Sequence, residues 1–320
     1  MNIRKSRKEK KRAAGKLIPA TLLFFLFFLY LASLIREGGR EETAVAYHSD
    51  TWVEMDRLWG KERIPLEEYL AGMMAATIPM DYEKEVLKAQ ALILRSWCYH
   101  LAKKENGYDI IPSKELENIY FSDEDCRRVW GEEYEANRSL IMQVLKETEG
   151  MVLVWQGQII APPFFRLSNG KTRAVEEYQS NTDRFGYVRS ITCSEDLEAE
   201  EYLGRIEISG RELEKKLQQL LETPEWTLDK IILYRDTADY VKTVEIGDKK
   251  IQGEKFRYAF ELPSSCFTLT KQDDTIVIKT KGIGHGFGFS QFAANALAKQ
   301  GYDYRRLLGE FFMDISVEKR

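Results

Sequence analysis

Three short segments hold residues whose types and spacing could do chemistry. The first is Glu85 with Lys88, Gln90 and Arg95, within DYEKEVLKAQALILRSW. A glutamate among polar partners on a helix could serve as a general acid and base, giving up one proton and taking one back. The same spacing also fits a first-turn glutamate that does no more than oppose the positive end of the helix. A helix start favours ionised carboxyls whereas a general acid must hold its proton, so the catalytic role needs apolar walls nearby. The second segment is Ser168-Asn169-Gly170-Lys171-Thr172. Its Gly-Lys-Thr looks like a phosphate loop, but that pattern needs glycine at position 165 and Phe165 stands there. An ordinary turn and a polar loop lining a site both remain open. The third is GIGHGFGFSQF, residues 282–292. Gly282, Gly284, Gly286 and Gly288 alternate, which leaves one face of the segment bare for another backbone or for a ligand. His285 lies among these glycines, with Ser290 and Gln291 just beyond. It is either a packed core histidine or a site residue.

The elements that would position these groups are legible around them. Pro65 opens LEEYLAGMMAAT, where Leu66, Tyr69, Leu70 and Met73 recur at helical spacing, and Ile78-Pro79 stops it. Asp81 is the expected N-cap of a second helix whose apolar stripe is Leu87, Ala91, Leu94, Cys98 and Leu101. Glu85 lies off that stripe. Residues 103–135 are charged and interrupted by Gly107, Pro112 and Gly131, so they read as a surface insertion with little regular structure. A helix is expected over 134–147, then strand-like runs joined by a Gln-Gly turn in MVLVWQGQIIAPPFF, and further strands at 229–234, 240–246 and 275–280. Ser290 is placed to cap a helix from Gln291 that Gly301 stops. Helices and strands are segregated rather than alternating, which predicts an α+β fold with a mixed helix and antiparallel-sheet domain.

Composition bounds the rest. Of 320 residues, 44% are hydrophobic and 31% charged, which excludes wholesale disorder. The net charge of -4 is unevenly spread. Residues 1–16 carry eight basic side chains against Glu9, leaving 39 basic and 50 acidic groups after them, a +7 stub and a -11 body. Between the two, Leu17 to Ile35 is uncharged and long enough to span a bilayer. The positive-inside rule keeps residues 1–16 cytoplasmic and sends the rest outward, a single-pass cell-membrane protein. Eight cations flush against a spanning segment are explained by topology and anionic lipid, so nucleic acid is not an expected partner. The expected organisation is a stub at 1–16, an anchor at 17–35, a tether at 36–60 and an extracytoplasmic domain at 61–317. Cys98, Cys126, Cys193 and Cys266 allow three pairings, show no Cys-x-x-Cys, and place Cys98 as a buried thiol.

Taken together, EVLKAQA, SNGKT and GHGFGFSQ, in this order within about residues 64–315, resemble the stage II sporulation protein D family, which also includes amidase-enhancer proteins. The resemblance implies a peptidoglycan lytic transglycosylase with a cleft, acting on glycan strands stripped of their stem peptides during engulfment. It makes Glu85 the catalytic residue and puts Lys88, Gln90, Arg95, Ser168, Asn169, Lys171, Thr172, His285, Ser290 and Gln291 near the substrate. Stage II sporulation proteins P, an amidase, and M are the implied partners. A non-catalytic wall-binding enhancer of a separate amidase is the alternative.

Departures from the family pattern accompany the match. Ala76-Thr77-Ile78-Pro79 lacks the glutamate of A-x-E-M-P, and Phe165-Arg166 replaces a tyrosine-histidine pair. Some members hold zinc through a histidine and two cysteines after the catalytic helix. Here residues 101–135 offer Cys126 alone, so neither a metal nor any other cofactor is expected.

Overall fold

A computed structural model describes residues 51–57, 60–105, 108–116, 119–178, 182–221 and 231–320. The expected stub, the anchor at 17–35 and the tether over 36–50 lie outside the described residues. Among the described residues no helix is long and apolar enough to cross a membrane.

The chain enters on β1 (Thr51–Arg57) and β2 (Gly60–Pro65), an antiparallel pair. Residues 51–57 therefore belong to the folded domain rather than to a tether. Val53 and Met55 turn inward while Glu54 and Asp56 face out, a period-2 pattern too short to stand out in sequence. Helix α1 (Leu66–Thr77) begins after Pro65 and ends where Ile78 turns extended ahead of Pro79. Helix α2 (Lys84–Leu101) starts three residues after the expected Asp81, with Glu83 at its N-cap and its backbone N–H donated to Asn295 Oδ1 at 2.8 Å. Its stripe is buried as expected from Leu87 to Cys98, with Leu101 only half-buried, and Ala89, Leu92 and Ser96 on other faces are buried too. It is the central helix of the larger core.

Residues 103–135 depart from the expected irregular insertion. They form β3 (Lys103–Glu105), β4 (Tyr108–Pro112) and α3 (Asp123–Trp130). Strand β4 pairs in parallel with β1, Tyr120 stacks on Tyr69 at 4.3 Å, and Ser122 with Asp125 makes a full capping box. The short strands hold through pairing to a distant partner, which local composition does not display.

Helix α4 (Tyr134–Glu147) leads to β5 (Met151–Trp155) and β6 (Gln158–Ile159), joined at Gln156-Gly157, where both φ are positive as a tight hairpin requires. After β7 (Phe164–Phe165) and α5 (Val175–Tyr178), a second core collects β8 (Leu203–Ser209), α6 (Gly210–Leu221), β9 (Ile231–Arg235), β10 (Val241–Ile246), β11 (Lys249–Gln252), α7 (Gly253–Ala259), β12 (Phe267–Gln272) and β13 (Thr275–Lys281). The chain returns through β14 (Phe289–Ser290), α8 (Gln291–Lys299) and α9 (Tyr304–Phe311) to β15 (Ile315–Lys319), which pairs with β5. The fold is α+β. Its sheets are antiparallel except for the β1–β4 and β7–β14 pairs.

Candidate active site

The first turn of α2 presents Glu85 half-exposed beside solvent. Its Oε1 accepts from Lys88 Nζ at 2.7 Å and its Oε2 from the backbone N–H of Tyr304 at 2.9 Å, at the start of α9. Both neighbours are donors, so the carboxyl accepts at both oxygens. Lys88 has a second partner, Glu147 of α4, at 3.0 Å, and Lys84 bonds the same carboxylate at 2.5 Å. Those two ammonium groups hold the Glu147 carboxyl down at about 2. Lys88 can thus leave Glu85 without losing a counter-charge.

One turn further on, α2 faces the interior. Gln90 is fully buried, accepts from Gln291 Nε2 at 3.2 Å and donates to Thr77 Oγ1 at 3.4 Å. Gln291 also donates to the Thr77 carbonyl at 2.8 Å. Thr77 lies in the segment that lacks the family's glutamate, and its hydroxyl and carbonyl are bonded within this network. Arg95 reaches no solvent at all. Its guanidinium grips Glu67 of α1 with two bonds of 2.6 and 2.7 Å and also donates to the Met151 carbonyl at 3.3 Å.

The 168–172 loop is a turn held by its own polar atoms. Ser168 Oγ accepts from the Gly170 N–H at 3.0 Å, and Asn169 Oδ1 accepts from that of Lys171 at 3.3 Å. Asn169 donates its side-chain amide to the Ala238 carbonyl at 2.6 Å, and its backbone N–H to Tyr240 Oη at 3.0 Å. Thr172 is buried, bonded across to Arg189 and Ile191. Asn169 and Lys171 are the two of this loop's candidates that keep partial exposure.

The glycine-alternating segment is bare because another backbone lies on it. A Cβ on Gly282 would meet the Leu167 carbonyl at 2.6 Å, and one on Gly286 would strike the Tyr240 ring. Leu167 and Ile283 exchange both backbone bonds, at 3.0 and 2.7 Å. His285 packs between Phe165 and Tyr178. Its Nδ1 accepts from the Phe287 N–H at 3.1 Å, and desolvation pushes its pKa down to about 4, so the ring is neutral at pH 7. Beneath it, Arg173 is buried against Asp236 at 2.6 Å and donates to the His285 carbonyl at 3.3 Å.

Asp196, which nothing in the sequence singles out from the acidic run around it, ties the second and third segments together. Its Oδ2 accepts from the Ser168 N–H at 2.7 Å and from Ser290 Oγ at 2.9 Å. Ser290 holds the N-cap position of α8, but its hydroxyl serves Asp196 rather than the helix. Asp196 is fully buried, its Oδ1 has no partner, and desolvation lifts its pKa to about 6. The N-terminus of α8 is therefore the junction of all three segments. Gln291 reaches α2 through Gln90, and Ser290 reaches the 168–172 loop through Asp196.

Known proteins resemble this chain over most of its length. The family described as "SpoIID: Stage II sporulation protein" matches residues 55–155. Stage II sporulation protein D of Bacillus amyloliquefaciens is 30% identical over 263 residues, 81% of this chain and 75% of that protein. Its namesake in Bacillus subtilis (strain 168) is 31% identical over 245 residues, 75% and 70% of the two chains. The amidase enhancer of Bacillus subtilis (strain 168) is 22% identical over 298 residues, 76% of this chain and 39% of that one.

Proposed function

This chain belongs to the stage II sporulation protein D family, and from that premise we propose that it is a peptidoglycan lytic transglycosylase anchored through residues 17–35 and facing outward. Its substrate is glycan already stripped of stem peptides, and its partners in engulfment are stage II sporulation proteins P and M. The observation that carries this reading is Glu85, the carboxyl of the three segments that is fixed by a cation and a backbone N–H while still open to solvent.

Glu85 delivers a proton to the oxygen bridging N-acetylmuramic acid and N-acetylglucosamine as the bond to C1 breaks. The carboxylate then accepts the proton of the muramyl C6 hydroxyl as that oxygen closes on C1. A 1,6-anhydro end and a free 4-hydroxyl result, and the carboxyl is restored. The proton-bearing form needs Lys88 to turn to Glu147, the partner it already touches.

A second reading has an observation of its own. Both Glu85 oxygens are occupied by donors and Thr77 stands in the segment lacking the family's glutamate, which favours a wall-binding enhancer without bond cleavage. Incubating the full-length protein with denuded glycan and looking for 1,6-anhydromuramyl ends by mass spectrometry separates the two. The enzyme reading expects such ends, reduced about 100-fold or more in a folded Glu85→Gln protein. Sedimentation with glycan and no anhydro ends would leave the enhancer.

A further inference from the structure

The cation beside Glu85 is shared. Lys88 Nζ stands 2.7 Å from Glu85 Oε1 and 3.0 Å from Glu147 Oε2, so one ammonium group joins the first turn of α2 to the last residue of α4. Glu147 is held for this contact. Its Oε1 accepts from Lys84 Nζ at 2.5 Å and from Gln143 Nε2 at 3.1 Å, which leaves Oε2 to Lys88. Within α4 the residue is badly placed, because a negative charge at a helix C-terminus meets the negative end of the dipole. Its contacts to α2 account for it better than anything in α4.

The charges around Glu85 come from three elements. Lys84 and Lys88 lie on α2 with Glu85 itself, and Glu147 on α4. Helix α9 brings the Tyr304 backbone N–H, with Arg305 over the Tyr304 ring at 5.1 Å and Asp303 accepting from the Arg306 N–H. Lys88 and the Tyr304 N–H both favour an ionised carboxyl, whereas a general acid must hold a proton. Glu147 supplies the opposing charge. The ammonium groups of Lys84 and Lys88 keep its pKa at about 2, so it stays an anion while Glu85 gains and gives its proton. Lys88 is as firm a cation: partial burial works against its charge, but hydrogen bonds to the two carboxylates raise its pKa.

We propose that Glu147 is a positioning residue for glycan cleavage, taking the Lys88 ammonium group when Glu85 is protonated and yielding it when Glu85 is ionised. This rests on the transglycosylase reading. As Glu85 passes its proton to the bridging oxygen, its new charge draws Lys88 in, and as it takes the proton of the C6 hydroxyl, Lys88 turns back to Glu147. The exchange needs little motion, because Nζ already touches both carboxylates.

Two measurements on the full-length protein in detergent micelles test this. One is the pH dependence of 1,6-anhydro end formation from denuded glycan. The other is a carbon-13 NMR titration of the Glu85 carboxyl in protein made with labelled glutamate, its signal identified by its loss in Glu85→Gln. In Glu147→Gln the alkaline limb of the rate and the carboxyl midpoint are both expected to move down by about one pH unit, with the rate above the limb falling about tenfold and KM little changed. Lys84→Gln, which leaves Glu147 to Lys88 alone, is expected to move both upward. Damage to the fold would not give opposite signs. In a Lys88→Gln background, Glu147→Gln is expected to move the carboxyl midpoint about half as far or less, since the shared cation is gone. A carboxyl midpoint that Glu147→Gln leaves in place, one that Lys84→Gln moves down, or a Glu147→Gln shift of equal size with and without Lys88 overturns the assignment. If the wild type makes no anhydro ends while the NMR shifts are as expected, the transglycosylase reading falls and the charge exchange between Glu85 and Glu147 stands.

Discussion

Two desolvated titratable residues, Asp196 and His285, act in opposite directions on stability. Asp196 has its pKa lifted from 3.8 to about 6, so between those values the folded chain keeps a proton that the unfolded chain has released. Stability falls as pH rises through that window. His285 has its pKa pushed from 6.5 to about 4, so there the unfolded chain takes up the extra proton, and stability falls as pH drops. The two slopes oppose each other between about pH 4 and 6. Asp196→Asn removes one of them and keeps an oxygen able to accept from Ser168 and Ser290. It is expected to gain stability over wild type as pH rises from 4 to 6, reaching on the order of 3 kcal/mol above it. Urea unfolding of both proteins at pH 4, 5, 6 and 7 checks this, and a difference that does not grow with pH would refute it. Neither residue's state was legible beforehand. Burial by segments tens of residues away sets both, and Asp196 in sequence is one acid among several.

Between elements, the Glu67–Arg95 pair ties α1 to α2. Helical spacing had marked both helices and their apolar faces, and the family resemblance put Arg95 near the substrate. The packing of α1 and β5 around it instead encloses its guanidinium. Arg95→Met leaves Glu67 buried without its partner and is expected to lose about 3–5 kcal/mol of unfolding free energy, whereas Glu67→Leu with Arg95→Met is expected to recover most of it. Chemical denaturation of the three proteins decides, and a single variant as stable as wild type would show the pair to be dispensable. The helix at Asp123–Trp130 is the reverse case. Ser122-x-x-Asp125 is a local signal that could have found it, masked by the charged, glycine-interrupted surroundings.

At the scale of the molecule, stability is expected to be graded outward from α2. Residues Val86 to Ser96 are almost entirely buried, while α3 buries only Cys126. Amides of 86–96 are expected to exchange hydrogen only through global unfolding, at least 100-fold more slowly than those of 123–130, which open locally. Exchange read by mass spectrometry would contradict this gradient if peptides from the two helices exchanged alike. The sequence by itself determined the helix and strand periods, the split of charge about residues 17–35 and the three segments whose order marks the family, because each is written in neighbouring residues. Only the tertiary structure decided which motif side chains remain open. Glu85, Lys88, Asn169, Lys171 and His285 keep partial exposure, whereas Gln90, Arg95, Ser168, Thr172, Ser290 and Gln291 are enclosed. The reason is the distance along the chain to each partner: Gln90 meets Gln291 across 201 positions and Ser290 meets Asp196 across 94, contacts that exist only once α8 docks on α2.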